Sequence, residues 1–199
     1  MSDIPIILLA AGQSRRMAGA DKLMQSVDGL PLLRRSAQTA LQVGPVIVAL
    51  PPAPHPRHDA LKGLSVVAVG IPDADEGMNA SLRGALAHVP AGSKAVMVLL
   101  ADLPEITADD LRKVTESVHD YPDCLIWRGA SSAGKPGHPV VFARPLFGEL
   151  SQLAGDEGAQ SVVKAHKDAV HLQLLPNQNA LLDLDTPEDW ARWRSQKSS

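Results

Sequence analysis

Little in this chain points to an oxidising compartment, a membrane or a nucleic acid. A single cysteine, Cys124, excludes an internal disulfide and a cysteine-rich metal site. Aromatic residues are only 3% of the total, so a core has to be assembled from Leu, Val, Ile and Ala. No apolar run approaches the length of a membrane span, and Met1-Ser2-Asp3 leads straight into a strand without a leader, so the expected location is the cytoplasm. Neither sign of charge dominates. Nineteen Lys and Arg against 22 Asp and Glu leave a net charge of −3, which argues against a polyanion-binding surface and against nucleic acid as a partner. With 199 residues, the expectation is one α/β domain over 1–199.

What is present is concentrated near the start. Ile4 to Leu9 is an unbroken apolar run of the kind that forms a central parallel strand, and it ends in Ala10-Ala11-Gly12. Swapping bulky aliphatics for Ala-Ala-Gly clears space for a ligand to approach the backbone. Arg15, Arg16 and Lys22 follow. Free amides and cations at the carboxyl end of a central strand predict a polyphosphate site. The stretch is neither a Walker A loop, which needs Gly-x-x-x-x-Gly-Lys-Ser/Thr, nor a dinucleotide fingerprint, because the glycine after Gly12 is Gly19.

Strand and helix patterns then alternate, which predicts a mostly parallel sheet flanked by helices. Val27-Asp28-Gly29 reads as a turn, and Pro31 opens a helix whose Leu33, Ala37, Ala40 and Leu41 share a face. Val46 to Leu50 is a second strand. The proline cluster 51–56 reads as loop, with His55 and His58 as solvated loop histidines rather than metal ligands. Val66 to Val69 is a third strand. Gly77 then precedes a helix capped by Asn79 or Ser81, and such a glycine-bearing helix start offers donors to a ligand. Val96 to Leu100 is followed by Asp102, a strand-end carboxylate placed where α/β enzymes hold a metal ion; capping of the next helix falls instead to Thr107 and Asp110. Leu125 to Trp127 reads as a strand, 128–139 as a long mobile loop, and Val140 to Phe142 as the return to the sheet. Helices are expected from Pro145 to Leu153 and through Val162, Val163 and His166. Leu172 to Leu175 and Ala180 to Leu184 read as strands, and Thr186-Pro187 opens a last helix with Trp190 and Trp193 inward.

Leu9-Ala10-Ala11-Gly12-Gln13-Ser14-Arg15-Arg16-Met17, with Lys22, resembles the signature of the MobA-like nucleotidyltransferases, except that Ala18 stands where the family usually has Gly and the lysine comes one residue late. Gly77-Met78 with Ser81-Leu82 resembles the family's Gly-Met-x-x-Ser-Leu. Asp102-Leu103-Pro104 resembles its Asp-x-Pro, and Gly137-His138-Pro139 the Gly-His-Pro of its molybdopterin branch. Gly155-Asp156-Glu157-Gly158-Ala159-Gln160 resembles Gly-Asp-x-Gly-Ala-Arg, with Gln160 in place of an arginine. The resemblance implies a single Rossmann-like domain that moves a nucleotidyl group from an NTP to a phosphate-bearing acceptor and releases pyrophosphate. It implies nucleotide contacts from Leu9 to Gly12, Arg16, Lys22, Gly77, Ser81 and Asp102, with Arg16, Lys22 and Asp102 as the catalytic set. It further implies an acceptor contact from His138 and Mg²⁺ on Asp102 and Asp185.

The favoured substrates are CTP and molybdopterin, since Leu9-Ala10-Ala11-Gly12 is similar to the cytidylyl branch where the guanylyl branch has Leu-Ala-Gly-Gly. A recipient molybdoenzyme or its chaperone is a further partner that this implies. The alternatives are a GTP-dependent molybdopterin guanylyltransferase, a sugar-phosphate nucleotidyltransferase, or a non-catalytic nucleotide- or cofactor-binding protein. No Ser-His-Asp or Cys-His arrangement is evident, and a phosphate nucleophile requires none.

Overall fold

A computed structural model describes residues 3–155 and 158–197. Asp156 and Glu157 of the glycine-rich stretch before Gln160 lie outside the described residues, as do Met1 and Ser2. The strands are β1 (Ile6–Leu9), β2 (Ser26–Val27), β3 (Leu30–Pro31), β4 (Val46–Leu50), β5 (Val66–Gly70), β6 (Ala95–Leu100), β7 (Ile126–Ala130), β8 (Pro136–Ala143) and β9 (Val170–Leu174). The α-helices are α1 (Leu32–Leu41), α2 (Pro56–Ala60), α3 (Met78–Leu86), α4 (Ala108–Asp120), α5 (Phe147–Ser151), α6 (Gln160–Ala165) and α7 (Pro187–Lys197).

Seven strands form one sheet in the order β5-β4-β1-β6-β8-β7-β9. β8 runs antiparallel to both its neighbours, β6 and β7, and every other pairing in this sheet is parallel. The expected mostly parallel α/β sheet is therefore present, with one reversed strand.

Side chains on successive strand positions go to opposite faces. Ile6, Leu8, Val46, Val48, Met97 and Leu99 face α1, α4 and α7, where Leu33, Ala37, Leu111, Trp190 and Trp193 complete one apolar layer. Ile7, Leu9, Ile47, Val96 and Val98 face α3 with Leu82 and Ala85, and the α5 and α6 region with Leu150 and Val162. Both faces of the central strands are thus covered, which is why those strands read as continuous apolar runs. The capping box of α4 forms as expected, with Asp110 N donating to Thr107 Oγ1 at 3.1 Å. Thr186 caps α7 in the same way, accepting from Asp189 N at 3.2 Å.

Several local expectations are corrected. Gly77, at φ 110°, rather than Asn79 or Ser81, precedes α3; buried Asn79 instead donates from Nδ2 to Ala154 O at 2.7 Å. Pro56 starts a short helix inside the proline cluster, because its fixed φ suits a first helical turn. His55 caps that helix, and His58 Nε2 lies 2.8 Å from Pro51 O, so neither is merely solvated. Residues 128–139 form most of a β7–β8 hairpin rather than a long loop, since Arg128 and Ala130 pair with β8. Ala180 to Leu184 is not a strand. Leu181 N and Leu182 N both donate to Gln178 O, which curls the segment into a turn that packs on β8.

Candidate active site

The parallel strands bring the carboxyl ends of β1 and β6 side by side, with Leu9 opposite Leu100. A cleft of about 340 Å³ opens there, lined by Leu9 to Arg16, Lys22, Gly77, Ser81, Asp102 and Asp185 among others. The nucleotide and metal candidates, drawn from four separate segments of the sequence, all line this cleft. A second hollow of about 590 Å³ adjoins it; both share Ala11 to Arg15, Ala74 and Asp75.

Most backbone donors of the loop after β1 are unused. Ala10 N continues the sheet by donating to Ala49 O at 2.9 Å, so this amide is taken, contrary to the reading that offered it to phosphate. Among the described residues, the N–H groups from Gly12 to Arg16 find no acceptor in the protein. A methyl group built on Gly12 would meet no atom within 4 Å, so this wall of the cleft has room. Ala18 takes φ 50°, the left-handed region that favours glycine, which explains physically why the resemblance expects Gly there.

Sequence reading assigned no role to Arg57, yet this residue holds the loop. It is 2% exposed. Its Nη1 donates to Ala10 O at 2.6 Å and Gly12 O at 2.8 Å, and its Nη2 to Ser14 Oγ at 3.2 Å. Those carbonyls are thereby engaged by the arginine on one side of the loop, leaving the amides available. A lone arginine after a proline cluster carries no sequence signal of such a role; only the approach of α2 to the loop reveals it.

At the floor of the cleft, Lys22 Nζ donates to Asp102 Oδ2 at 2.5 Å and to Asp185 Oδ1 at 2.6 Å. Arg16 Nη2 lies 2.5 Å from Asp185 Oδ2 while its side chain remains largely exposed. Burial works against the Lys22 charge, but Asp102 and Asp185 outweigh it and hold its pKa above the ordinary value. Burial likewise opposes the Asp185 charge, and Lys22 and Arg16 reverse that, keeping it ionised. Asp183, unassigned in the sequence, sits in this network; burial, then the charges of Asp185 and Asp102, push its pKa up. Leu184 N donates to Asp102 O at 3.4 Å, which ties the Asp185 segment to the end of β6.

Asp102 Oδ1 is buried without a partner. An orphaned carboxylate oxygen, beside a pair already shown to hold a cation in the form of the Lys22 ammonium, fits a hard divalent ion such as Mg²⁺. Among the described residues no group of three or more His, Cys, Asp or Glu could hold a metal, so a nucleotide and water would supply the remaining ligands.

His138 lies outside this cleft, on β8. It lines an adjoining cavity of about 150 Å³ with Arg128 and Gln160, and Leu9 and Met78 are common to both spaces. His138 is half-buried, with Nδ1 at 3.5 Å from Val98 O, and desolvation draws its pKa down to about 4. It is neutral at ordinary pH.

Residues 6–170 match the MobA-like NTP transferase domain, and the chain belongs to that family. It is a nucleotidyltransferase. The molybdenum cofactor guanylyltransferase of Cereibacter sphaeroides is 30% identical, covering 95% of this chain and 94% of the relative. Purine catabolism protein PucB of Bacillus subtilis is 27% identical over 92% of each chain. Among solved structures, Rv0371c of Mycobacterium tuberculosis H37Rv superposes with a TM-score of 0.81 at 30% identity, covering 98% of this chain and 99% of that one. The same mycobacterial protein has been solved in complex with manganese, with a TM-score of 0.79 and 28% identity.

Proposed function

We propose that this enzyme transfers CMP from CTP to the phosphate of molybdopterin, with release of pyrophosphate, in the maturation of the molybdenum cofactor. The observation that carries this reading is the joining of two carboxylates, Asp102 after β6 and Asp185 before α7, with Lys22 and Arg16 beside a loop of free amides. An acceptor phosphate oxygen attacks the α-phosphorus, the bond from that phosphorus to the bridging oxygen breaks, and pyrophosphate departs. The attacking oxygen is already anionic, so no general base is needed. What the site must supply is alignment and charge neutralisation. Amides from Gly12 to Arg16 and the cations Arg16 and Lys22 would meet the phosphates, and Gly77 and Ser81 line the same cleft. A divalent ion on Asp102 and Asp185, taken here as Mg²⁺, would neutralise phosphate charge. The manganese complex of the mycobacterial neighbour supports a divalent ion.

Molybdopterin is supported by the relatives named for the molybdenum cofactor and by Gly137-His138-Pro139. CTP rests on Ala11, whose methyl is buried yet lines both lobes of the cleft. GTP is the second reading, favoured by relatives that carry the name guanylyltransferase. The product would pass to a recipient molybdoenzyme or its chaperone in the cytoplasm.

The deciding measurement is pyrophosphate release with molybdopterin, Mg²⁺ and each of CTP and GTP. A higher kcat/KM with CTP is expected, and Ala11→Gly should narrow the ratio by about 1–3 kcal/mol of discrimination. A preference for GTP moves the enzyme to the guanylyl reading. Absence of release with every NTP overturns the assignment. Asp102→Asn should lower kcat by about 100-fold or more while nucleotide affinity changes less.

A further inference from the structure

The 150 Å³ cavity beside the cleft is walled mostly by apolar groups, including Leu82, Val98, Val140 and Phe142. Its polar members are Arg128, His138 and Gln160. β7 runs parallel to β6, and Arg128 and Val98 both lie opposite Val140 on β8, so Arg128 stands level with Val98, four residues before Asp102 in the chain. Arg128 Nε donates to Gly137 O at 2.8 Å, which fixes the plane of the guanidinium. Among the described residues, its two terminal amino groups have no partner and no carboxylate pairs with it. A half-buried arginine without a counter-ion is an anion site in waiting, because its charge is desolvated and its planar fork is unused.

We propose that Arg128 binds the phosphate of the acceptor, as the one cationic side chain among the described residues of this cavity. The assignment rests on the reading of the enzyme as a transferase to a phosphate-bearing acceptor. His138 is neutral and Gln160 uncharged, so neither can balance a phosphate monoester that carries about −1.5 to −2 charge. His138 feels the charges of both Arg128 and Asp102, so it lies between the cavity and the cleft. Leu9 and Met78 border both spaces, so an anion on Arg128 stands next to the nucleotide cleft. Charge on Arg128 also offsets repulsion between the acceptor phosphate and the triphosphate as they approach.

Steady-state kinetics of wild type, Arg128→Gln, Arg128→Lys and the double variant Arg128→Gln with Gln160→Arg test this, with molybdopterin and the NTP varied separately. Arg128→Gln should raise the acceptor KM about tenfold or more and leave the NTP KM within about twofold. Arg128→Lys and the double variant, which return a cation to the same cavity, should recover part of the loss. An acceptor KM within about twofold of wild type in a folded Arg128→Gln, or an equal rise in both KM values, overturns the proposal. Calorimetry with phenyl phosphate, a plain phosphate monoester, at saturating non-hydrolysable nucleotide gives a readout free of turnover. Binding abolished by Arg128→Gln in a protein that forms no product would uphold the anion site and refute the transfer reading. Turnover with phenyl phosphate binding unchanged by the variant would do the reverse.

Discussion

Arg57 grips Asp21 with two parallel hydrogen bonds, Nε to Oδ2 at 2.8 Å and Nη2 to Oδ1 at 2.7 Å, across 36 positions of sequence. The same guanidinium holds the carbonyls of Ala10 and Gly12. Asp21 in turn accepts from Leu23 N at 2.9 Å, which sets the short helical turn Lys22–Met24 and so the root of Lys22. One buried cation therefore shapes both ends of the loop.

Removing that cation leaves Asp21 and two carbonyls without their partner. Arg57→Ala should cost about 3–5 kcal/mol of stability in urea denaturation. Arg57→Lys keeps the charge but cannot make the paired contact, so its loss should be intermediate, and its NTP KM should rise more than its acceptor KM. A lysine variant with wild-type stability and kinetics would remove the clamp role.

Acid should reveal the same pair. Burial opposes the Asp21 charge, but its hydrogen bonds and the Arg57 charge win and place the folded pKa below the ordinary value. A depressed carboxylate stabilises the fold above its unfolded pKa of about 3.9, and that contribution fades as pH falls through the folded pKa. The stability gap between wild type and Asp21→Asn should be widest at neutral pH and shrink in denaturant titrations below about pH 4. A gap independent of pH would contradict the assignment.

Lys22 is the cation that holds Asp102 and Asp185 together, with Asp183 close by. Lys22→Ala should lower Tm in the presence of EDTA, because clustered carboxylates then repel. Mg²⁺ or Mn²⁺ should restore Tm more in the variant than in wild type. Equal shifts in both proteins would argue that Asp102 and Asp185 do not hold the ion.

Gly137 is fixed by contact. A Cβ at this position would lie 2.0 Å from Ala180 O, the same carbonyl that accepts from His138 N at 2.8 Å. Gly137→Ala must push the 176–184 segment off β8, with an expected loss of about 3 kcal/mol or more by thermal or urea unfolding. Since that segment leads into Asp185, metal affinity should fall with stability. A stable variant with unchanged metal binding would show that the segment moves freely.

The central strands, the last helix and the position of the loop after β1 were legible in the sequence. Each of these is a local matter: apolar runs, Thr186-Pro187 with acids behind them, and Ala10-Ala11-Gly12 beside cations. The sequence also placed Asp102, since the Thr107 and Asp110 cap left that carboxylate unclaimed by the following helix. Which partners those groups meet depends on how distant segments pair. Arg57 reaches the loop because β1 and β4 are paired, an approach of segments with no local signature. Ala10 loses its amide to Ala49 by the same pairing. Ala180 to Leu184, apolar enough for a strand, instead begins in a turn held by Gln178 O, with Ala180 against the bare backbone of Gly137. Arg128 gains its setting from the reversal of β8, which puts the arginine and Val98 of β6 on either side of Val140. Local sequence fixes what a segment prefers; long-range pairing fixes what its side chains face.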